Sequence, residues 1–509
     1  MERTVVISDI VNALEKAKLL VSADLGACND KDISGITFNS REVKEGFLFV
    51  VKGAAFKEQY LDDAIKAGAA CFVREASNGI GLEPDRNGCP CIYVSDVRKA
   101  MAVIAPAFYG KLYEEIKVTG ITGTKGKSTT AYFLRNILDA YYATLGMGKS
   151  AICSGIENYD GIINEEAHLT TDEIFPLYKH MHNAVKSGIK HMTMEVSSQA
   201  LKYDRVEGII FEAGAFLNIG DDHVSEIEHP SFDDYLESKL RIFSQCRKAC
   251  YSLETDELDR VSSAASVCPE VIRFSQMDDS AEVYASDIRS AEGKVTMHVR
   301  VHGVKGYSDF EDDFVPGTFG TINCENALAA ISLALLLGIP VESIKTGLTA
   351  TSVPGRMEVV RSKDQKITAI VDFAHNELSF DRFFETAKKE FPGKKIISVF
   401  GATGTKAVTR RTGMGTSAGK HCAYSILSED DPGHEDPYEI CKQIGECIDA
   451  VGGKYEIIVD RDAAIKRAVE LADEDTILFL AGRGTVSTQK RGNKNIEVGA
   501  DKDFLLKYI

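Results

Sequence analysis

At 509 residues, with 44% hydrophobic and 27% charged side chains, the chain is long enough for about three domains, each with its own core. Its 59 basic against 76 acidic residues leave a formal charge of −17, which argues against nucleic acid as a general partner but allows a local basic site for phosphates. The charged opening Met1-Glu2-Arg3-Thr4 and the lack of any long apolar run point away from a signal peptide and from membrane insertion, toward a cytoplasmic protein. Twelve cysteines are scattered without zinc spacing. Cys89-Pro90-Cys91 is too tight for a zinc knuckle and Cys246/Cys250 lack a second pair, so reduced core thiols are expected.

Residues 1–110 read as a small α/β unit, with strands at 47–51 and 69–73 and a helix at 60–66. The polar turn Thr37-Phe38-Asn39-Ser40-Arg41 could cap the next segment or hold a polar ligand. A second unit, 111–352, begins with a buried strand at 116–119 and an amphipathic helix from 130, joined by Gly123-Thr124-Lys125-Gly126-Lys127-Ser128-Thr129. Glycines let backbone N–H groups approach an anion, and the helix N-terminus favours negative charge. A lysine there meets phosphate oxygens, and the neighbouring hydroxyl suits Mg²⁺. Ile121 occupies the first glycine position of the strict motif, so the loop is a shortened variant. It predicts a nucleoside triphosphate site.

Further along, Leu169-Thr170-Thr171 supplies two hydroxyls, and a strand at 191–196 ends in Glu195-Val196-Ser197-Ser198. A carboxylate at the C-terminal end of a strand beside a phosphate loop is a Mg²⁺-ligand position, or else a solvated glutamate. The strand at 213–218 exits into Asp221-Asp222-His223. Ser231 opens a helix bearing Tyr235 and Lys239, the lysine on the flank of the apolar face. Such a lysine either snorkels or is held desolvated, and a desolvated amine can take up CO₂ as a carbamate. Residues 256–313 alternate short β-like runs with polar turns. Asn323 and Asn326 stand one turn apart where the helix at 327–337 begins, as capping amides or as ligands.

Pro354-Gly355-Arg356-Met357 reads as a hinge into a third unit, 353–509, whose parallel strands at 367–371, 395–400, 423–427 and 476–480 alternate with helices. Each exits into a polar or glycine-rich loop: Asp372-Phe373-Ala374-His375, Gly401-Ala402-Thr403-Gly404, Glu429-Asp430-Asp431-Pro432 and Ala481-Gly482-Arg483-Gly484. Four such loops favour a ligand site at the carboxyl ends.

In order, Gly123-Thr124-Lys125-Gly126-Lys127-Ser128, Met194-Glu195-Val196-Ser197-Ser198, Asn218 with Asp222-His223, Tyr235 with Lys239, Asn323 with Asn326, Pro354-Gly355-Arg356 and Asp372-Phe373-Ala374-His375 resemble the Mur ligases across almost the whole chain. Asn39-Ser40-Arg41, Leu169-Thr170-Thr171 and Glu195 to Leu201 are most similar to the branch that adds the third amino acid to UDP-N-acetylmuramoyl-L-alanyl-D-glutamate. The resemblance implies an α/β protein of three domains: a small N-terminal α/β domain for the uridine nucleotide, a central P-loop ATPase sheet, and a C-terminal Rossmann-like domain for the amino acid. It implies an ATP-dependent, Mg²⁺-dependent amide ligase of peptidoglycan precursor synthesis, acting as a monomer through an acyl phosphate. Ser40 would contact the uridine end, and Thr170, Thr171, Ser197 and Arg205 the muramoyl-peptide. Lys127 would touch the ATP phosphates, and Ser128, Glu195, His223 and a carbamoylated Lys239 would hold Mg²⁺. Asn326, Arg356, Asp372 and His375 would surround the nucleotide.

There are departures. Asn39, Phe373 and Gln199 stand where relatives usually have aspartate, tyrosine and histidine. Ligases for meso-diaminopimelate share an Asp-Asn-Pro-Arg loop, where this chain reads Asp430-Asp431-Pro432-Gly433, and a Gly-Lys-Gly-His-Glu run, where it reads Gly482-Arg483-Gly484-Thr485-Val486. Without the bidentate arginine, meso-diaminopimelate is disfavoured. The acidic loop Glu429, Asp430, Asp431, Glu435, Asp436 suits a cationic side chain, lysine first and ornithine second. A folylpolyglutamate-synthase-like ligase, a bare nucleotide switch and a catalytically silent homologue are the rival readings.

Overall fold

The computed structural model describes residues 5–26, 31–53, 56–76, 88–220, 228–291, 294–404, 408–492 and 494–509. Its residues cluster into two compact units. One comprises Met1–Lys127, Leu138–Arg273 and Ser332–Ile339; the other comprises Ser128–Ile137, Phe274–Ile331 and Pro340–Ile509. Both are α/β. No described helix is long and apolar enough to cross a membrane.

The described residues of the first unit contribute to three sheets, one of them only the pair Val5–Val6 with Asp32–Ile33. Near its N-terminus the strand order is Leu20–Asp24, Cys91–Val94, Cys71–Glu75, Phe47–Val50, Gly35–Thr37. All neighbours are parallel except the outer Leu20–Asp24. The expected strands at 47–51 and 69–73 and the helix at 60–66 appear within one or two residues, the helix as Glu58–Lys66. The larger sheet is parallel at its centre, running Ala151–Cys153, His191–Glu195, Lys117–Thr122, Ala213–Phe216, Ala249–Ser252. A parallel strand covered on both faces needs apolar residues throughout. Val118 to Thr122, His191 to Glu195 and Ala213 to Phe216 are accordingly all buried. In this register Ile121 lies opposite Glu195 on one side and Ala215 on the other. The phosphate loop, Glu195 and Asn218 therefore leave the same sheet edge, where open α/β sheets bind ligands.

In the second unit the sheet runs Glu358–Arg361, Thr368–Asp372, Thr476–Ala481, Lys395–Phe400, Tyr424–Leu427, Tyr455–Ile457, parallel except at the Glu358–Arg361 edge. All four strands expected there are present. Phe380, Phe383 and Phe384 pack edge-on and face-on against Phe400 and Phe479 on one face. An antiparallel meander, Val283–Ala291, Lys294–Val301, Phe310–Phe314, accounts for the alternating β-like runs of 256–313.

On the other face Arg461 is 4% and Asp501 0% exposed, and they pair through two hydrogen bonds of 2.9 and 2.7 Å. Arg461 also donates to the Ala481 carbonyl (2.8 Å), so one guanidinium ties a helix start to the end of the central strand. Breaking a buried ion pair leaves an uncompensated charge. Arg461→Met should lower stability by about 3–5 kcal/mol, read from the urea midpoint; a loss below about 1 kcal/mol would show that the pair is not structural.

Candidate active site

The helix Lys127–Thr144 begins directly after Gly126, which has φ 87°, a left-handed conformation that glycine adopts without strain. A Cβ on Gly123 would lie 2.9 Å from Leu217 Cβ and 3.3 Å from Asn218 N, so only glycine lets the loop approach the neighbouring strand exit this closely. Asn218 clamps the turn: its carbonyl accepts from Thr124 N (2.9 Å), its Oδ1 accepts from Lys125 N (2.9 Å), and its Nδ2 donates to Lys125 O (3.2 Å). Thr124 Oγ1 meets Tyr235 OH at 3.0 Å and accepts from Gly220 N at 3.1 Å. Lys127 Nζ folds back to donate to Gly123 O (2.9 Å) and Thr124 O (3.2 Å). Ser128 and Thr129 are the next residues of the helix.

Lys239 settles the choice between snorkelling and burial. It is 1% exposed, lies 4.8 Å from the Tyr235 ring, and its Nζ donates to Gly123 O at 2.8 Å. The Lys127 and Lys239 ammonium groups thus share one carbonyl oxygen. The helix that carries Lys239, Phe232–Leu240, is capped by Ser231, whose side chain accepts from Asp234 N (3.1 Å). The reciprocal bond of a capping box is not made; Asp234 Oδ2 turns to Lys202 Nζ and His229 Nδ1, each at 2.6 Å.

Glu195 is 1% exposed rather than solvated, and its Oε1 accepts from Gly155 N at 2.8 Å. Thr171 Oγ1 donates to the Glu195 carbonyl (2.9 Å) and accepts from Ser197 N (2.9 Å), while Ser197 Oγ accepts from Ala200 N (3.1 Å) and caps the following turn. Arg205 donates to Thr171 O (3.1 Å) and pairs with Glu173 (3.0 Å). Thr170, half-buried, precedes them. The structure therefore gathers Thr171, Ser197 and Arg205 around the exit of the Glu195 strand. His223, with Asp221 and Asp222, lies outside the described residues. At the N-terminal turn Asn39 takes the capping role, accepting from Arg41 N (3.2 Å), and Ser40 opens the 3₁₀ turn Ser40–Glu42.

One site residue escaped sequence reasoning. His229 is fully buried, joins Asp234 Oδ2 through Nδ1 and Ser198 Oγ through Nε2 (2.9 Å), and stands edge-on to Tyr235 at 5.1 Å. It links the Ser197-Ser198 turn to the Lys239 helix. The signal was a histidine two positions before the Ser231 cap.

In the second unit the guanidinium of Arg356 lies 4.5 Å from the Phe373 ring, and His375 Nδ1 meets Phe373 O at 2.7 Å. Asp372 Oδ2 accepts from Met357 N (2.6 Å); burial raises its pKa and the Arg356 charge opposes the rise. Arg356, Asp372 and His375 are thus brought together. Asn323 and Asn326 do not cap with their side-chain oxygens: Asn326 Nδ2 donates to Asn323 Oδ1 (3.0 Å) and Asn323 Nδ2 to Phe319 O (2.8 Å). A cavity of about 200 Å³ opens at the carboxyl ends, with Phe373, His375, Arg410, Asp430, Asp431 and Arg483 in its wall.

The acidic loop beside this cavity is not the free cluster of negative charge that the sequence implied. Glu429 pairs with Arg491, Glu435 with Arg411 (2.9 Å), Asp436 caps a helix, and Asp431 Oδ1 accepts from Lys490 N (2.9 Å). Asp430 lines the cavity beside Asp431. Burial pushes its pKa up to about 6 against the pull of Arg461 and Arg483. Arg483 is itself buried, donating to the carbonyls of Val486 (3.1 Å), Thr488 and Gly499 (both 3.3 Å).

Residues 121–334 match the Mur ligase middle domain and 355–484 the Mur ligase glutamate ligase domain. A UDP-N-acetylmuramyl-tripeptide synthetase from Ligilactobacillus salivarius is 36% identical, the alignment covering 93% of each chain. The chain belongs to the Mur ligase family. A second Mur ligase, the UDP-N-acetylmuramoyl-L-alanyl-D-glutamate–L-lysine ligase of Enterococcus faecalis, is 35% identical over 93% of this chain and 90% of its own. The solved UDP-N-acetylmuramoyl-L-alanyl-D-glutamate–2,6-diaminopimelate ligase shares the fold, with a TM-score of 0.65 at 22% identity, over 100% of this chain and 99% of the other.

The Asn218 clamp makes a direct prediction. Asn218→Ala removes two hydrogen bonds from Lys125 and should raise KM for ATP about tenfold, the worth of one or two such bonds. An unchanged KM would show that the loop holds its shape without the clamp.

Proposed function

We propose that this Mur ligase joins L-lysine to UDP-N-acetylmuramoyl-L-alanyl-D-glutamate in an ATP-dependent reaction of cytoplasmic peptidoglycan precursor synthesis. The reading assigns residues 1–110 to the uridine nucleotide, 111–352 to ATP and 353–509 to the amino acid. The observation that carries it is the convergence of Lys127 and Lys239 on Gly123 O, inside a glycine turn at a helix start. Two cations at a glycine turn before a helix start suit a polyanion, and Lys127 would exchange its carbonyl contacts for phosphate oxygens as the triphosphate enters. The names of the relatives supply the acceptor and the amine.

Gly123, Thr124, Lys125, Gly126, Lys127, Ser128 and Thr129 form the phosphate cradle. Thr170, Thr171, Ser197 and Arg205 orient the acceptor peptide and Ser40 its uridine end. Arg356, Asp372 and His375, with Asn326, contribute to nucleotide binding. The residues fit a metal as well: Glu195 is buried with its Oε1 fixed by a backbone N–H, and Ser128 adds a hydroxyl. His223 and Lys239, as a carbamate, would complete the ligands. Burial disfavours the Lys239 ammonium, and the carbamate keeps an N–H for the Gly123 carbonyl. Bound Mg²⁺ would supply neutralisation of the transferring phosphoryl group.

In the reaction the acceptor carboxylate attacks the γ-phosphorus of ATP, giving an acyl phosphate and ADP, while Lys127 stabilises the charge on the moving phosphoryl oxygens. The lysine α-amine then attacks the acyl carbon and expels phosphate. The second-unit cavity holds the amino acid, with Asp430 facing its distal ammonium.

Two outcomes test this. Lys127→Ala should cut acceptor-dependent ADP release by about three orders of magnitude with an unaltered far-UV spectrum; full activity would remove the site assignment. Asp430 carries its charge above its pKa of about 6 and loses it below. KM for lysine should therefore rise as pH falls through 6 while KM for ATP changes less; a flat profile would remove Asp430 from the amine site.

A further inference from the structure

The loop that carries both cavity carboxylates of the second unit, residues 429–433, is bound along its length by a hairpin that the function proposed above does not use. The hairpin pairs Thr488–Arg491 with Lys494–Glu497. Gly433 N donates to Lys490 O (3.0 Å), Gly492 N donates to Gly433 O (2.6 Å), and Lys490 N donates to Asp431 Oδ1 (2.9 Å). Arg491 pairs with Glu429. A two-stranded ribbon is marginal by itself, so these bonds fix the hairpin and the loop to one another.

Gln489 is the buried side chain of this ribbon. It is 1% exposed, whereas Lys490, Arg491 and all of Lys494–Glu497 are exposed. Its Nε2 donates to the Asp430 carbonyl, and its Oε1 accepts from Arg491 Nε (2.9 Å). The two contacts leave the amide one orientation, because a carbonyl can only accept and a guanidinium can only donate. Asp430 is confined from its other end as well. A Cβ on Gly482 would lie 2.9 Å from Asp430 Oδ2, and one on Gly401 would lie 3.2 Å from Asp430 N. Glycine at both strand exits lets them close on the aspartate, whose main chain is tied to Gln489 and whose carboxylate abuts Gly482.

We propose that Gln489 is a positioning residue for the amino acid: by fixing Asp430 it sets the depth at which a distal ammonium is met, and so favours the four-carbon side chain of lysine over the three-carbon chain of ornithine. The assignment deepens the function proposed above and rests on the place given there to Asp430. A mobile carboxylate could follow the shorter amine and pair with either. A pinned one cannot, and a group displaced by a methylene's length from a fixed partner loses much of its contact. One methylene is worth about tenfold or more to a site of this kind. Gln489 touches no reacting atom; it acts through Asp430.

The test compares kcat/KM for lysine and for ornithine in the full-length enzyme, with ATP and UDP-muramoyl-dipeptide saturating. The wild type should favour lysine by about tenfold or more. Gln489→Glu keeps the side-chain length and the acceptor for Arg491 and removes the donor to Asp430. It should lower the lysine-to-ornithine ratio at least about fivefold, chiefly by raising KM for lysine, with kcat and KM for ATP within about twofold. Arg491→Gln, at an exposed position tolerant of change, frees Gln489 Oε1 and should move the ratio the same way by a smaller factor. A ratio unchanged in both variants would overturn the assignment. So would equal losses with both amino acids together with a raised KM for ATP, the signature of a merely structural role. Failure of the proposed function reads differently: a wild type that uses neither diamino acid removes Asp430 from the amine site, and this assignment with it.

Discussion

The carbonyl of Gly123 is the point on which the first unit's chemistry depends. It accepts from Lys127 at the start of one helix and from Lys239 near the end of another, and the loop that presents it has room only for glycine at that position. Both ammonium groups donate to that oxygen, Lys127 also to Thr124 O, and charge-assisted bonds to an anion are stronger than bonds to a neutral carbonyl. Asn218 and Tyr235 keep the loop in this shape from the neighbouring strand and helix. The parallel register then delivers Glu195 to the same sheet edge, already buried and aligned by Gly155. A buried lysine, a half-buried one and a buried glutamate around a glycine turn would be a poor way to build a core, and they are a good way to build a phosphoryl-transfer site.

The second unit reaches a different result with the same architecture. Its strand exits also converge at a carboxyl edge, yet most of the acidic residues there are consumed by the fold. Arg411 and Arg491, the Lys490 amide and a helix N-terminus take up Glu435, Glu429, Asp431 and Asp436. In the cavity wall two carboxylates remain, Asp431 and Asp430, the latter made hard to ionise by burial. Selectivity for a cationic side chain would then rest on two neighbouring carboxylates instead of a broad acidic surface. Arg483 stands where diaminopimelate ligases have lysine, and it spends its donors on three backbone carbonyls.

Much of this was readable from the chain. The strands read at 116–119, 191–196 and 395–400, found at 117–122, 191–195 and 395–400, and the glycine turn were visible because buried parallel strands are continuous apolar runs, and because glycine and lysine have few reasons to alternate otherwise. Partner choice was not visible. Nothing in the spacing says that Lys239 reaches Gly123, that Glu429 meets Arg491 across sixty-two residues of sequence, or that Asn326 bonds Asn323 and not a helix amide. Such contacts follow from tertiary packing, and His229 was missed for that reason: its meaning lies in Ser198 and Asp234, which only the fold puts on its two ring nitrogens.

The central claim is that the phosphate cradle activates a carboxylate as an acyl phosphate before the amine arrives. Oxygen transfer tests it most directly. With ¹⁸O in the reacting carboxylate of the UDP-muramoyl-dipeptide, a single turnover with ATP and lysine should place one labelled oxygen in the released inorganic phosphate. Phosphate free of label, with the displaced labelled oxygen recovered in water, would contradict the account.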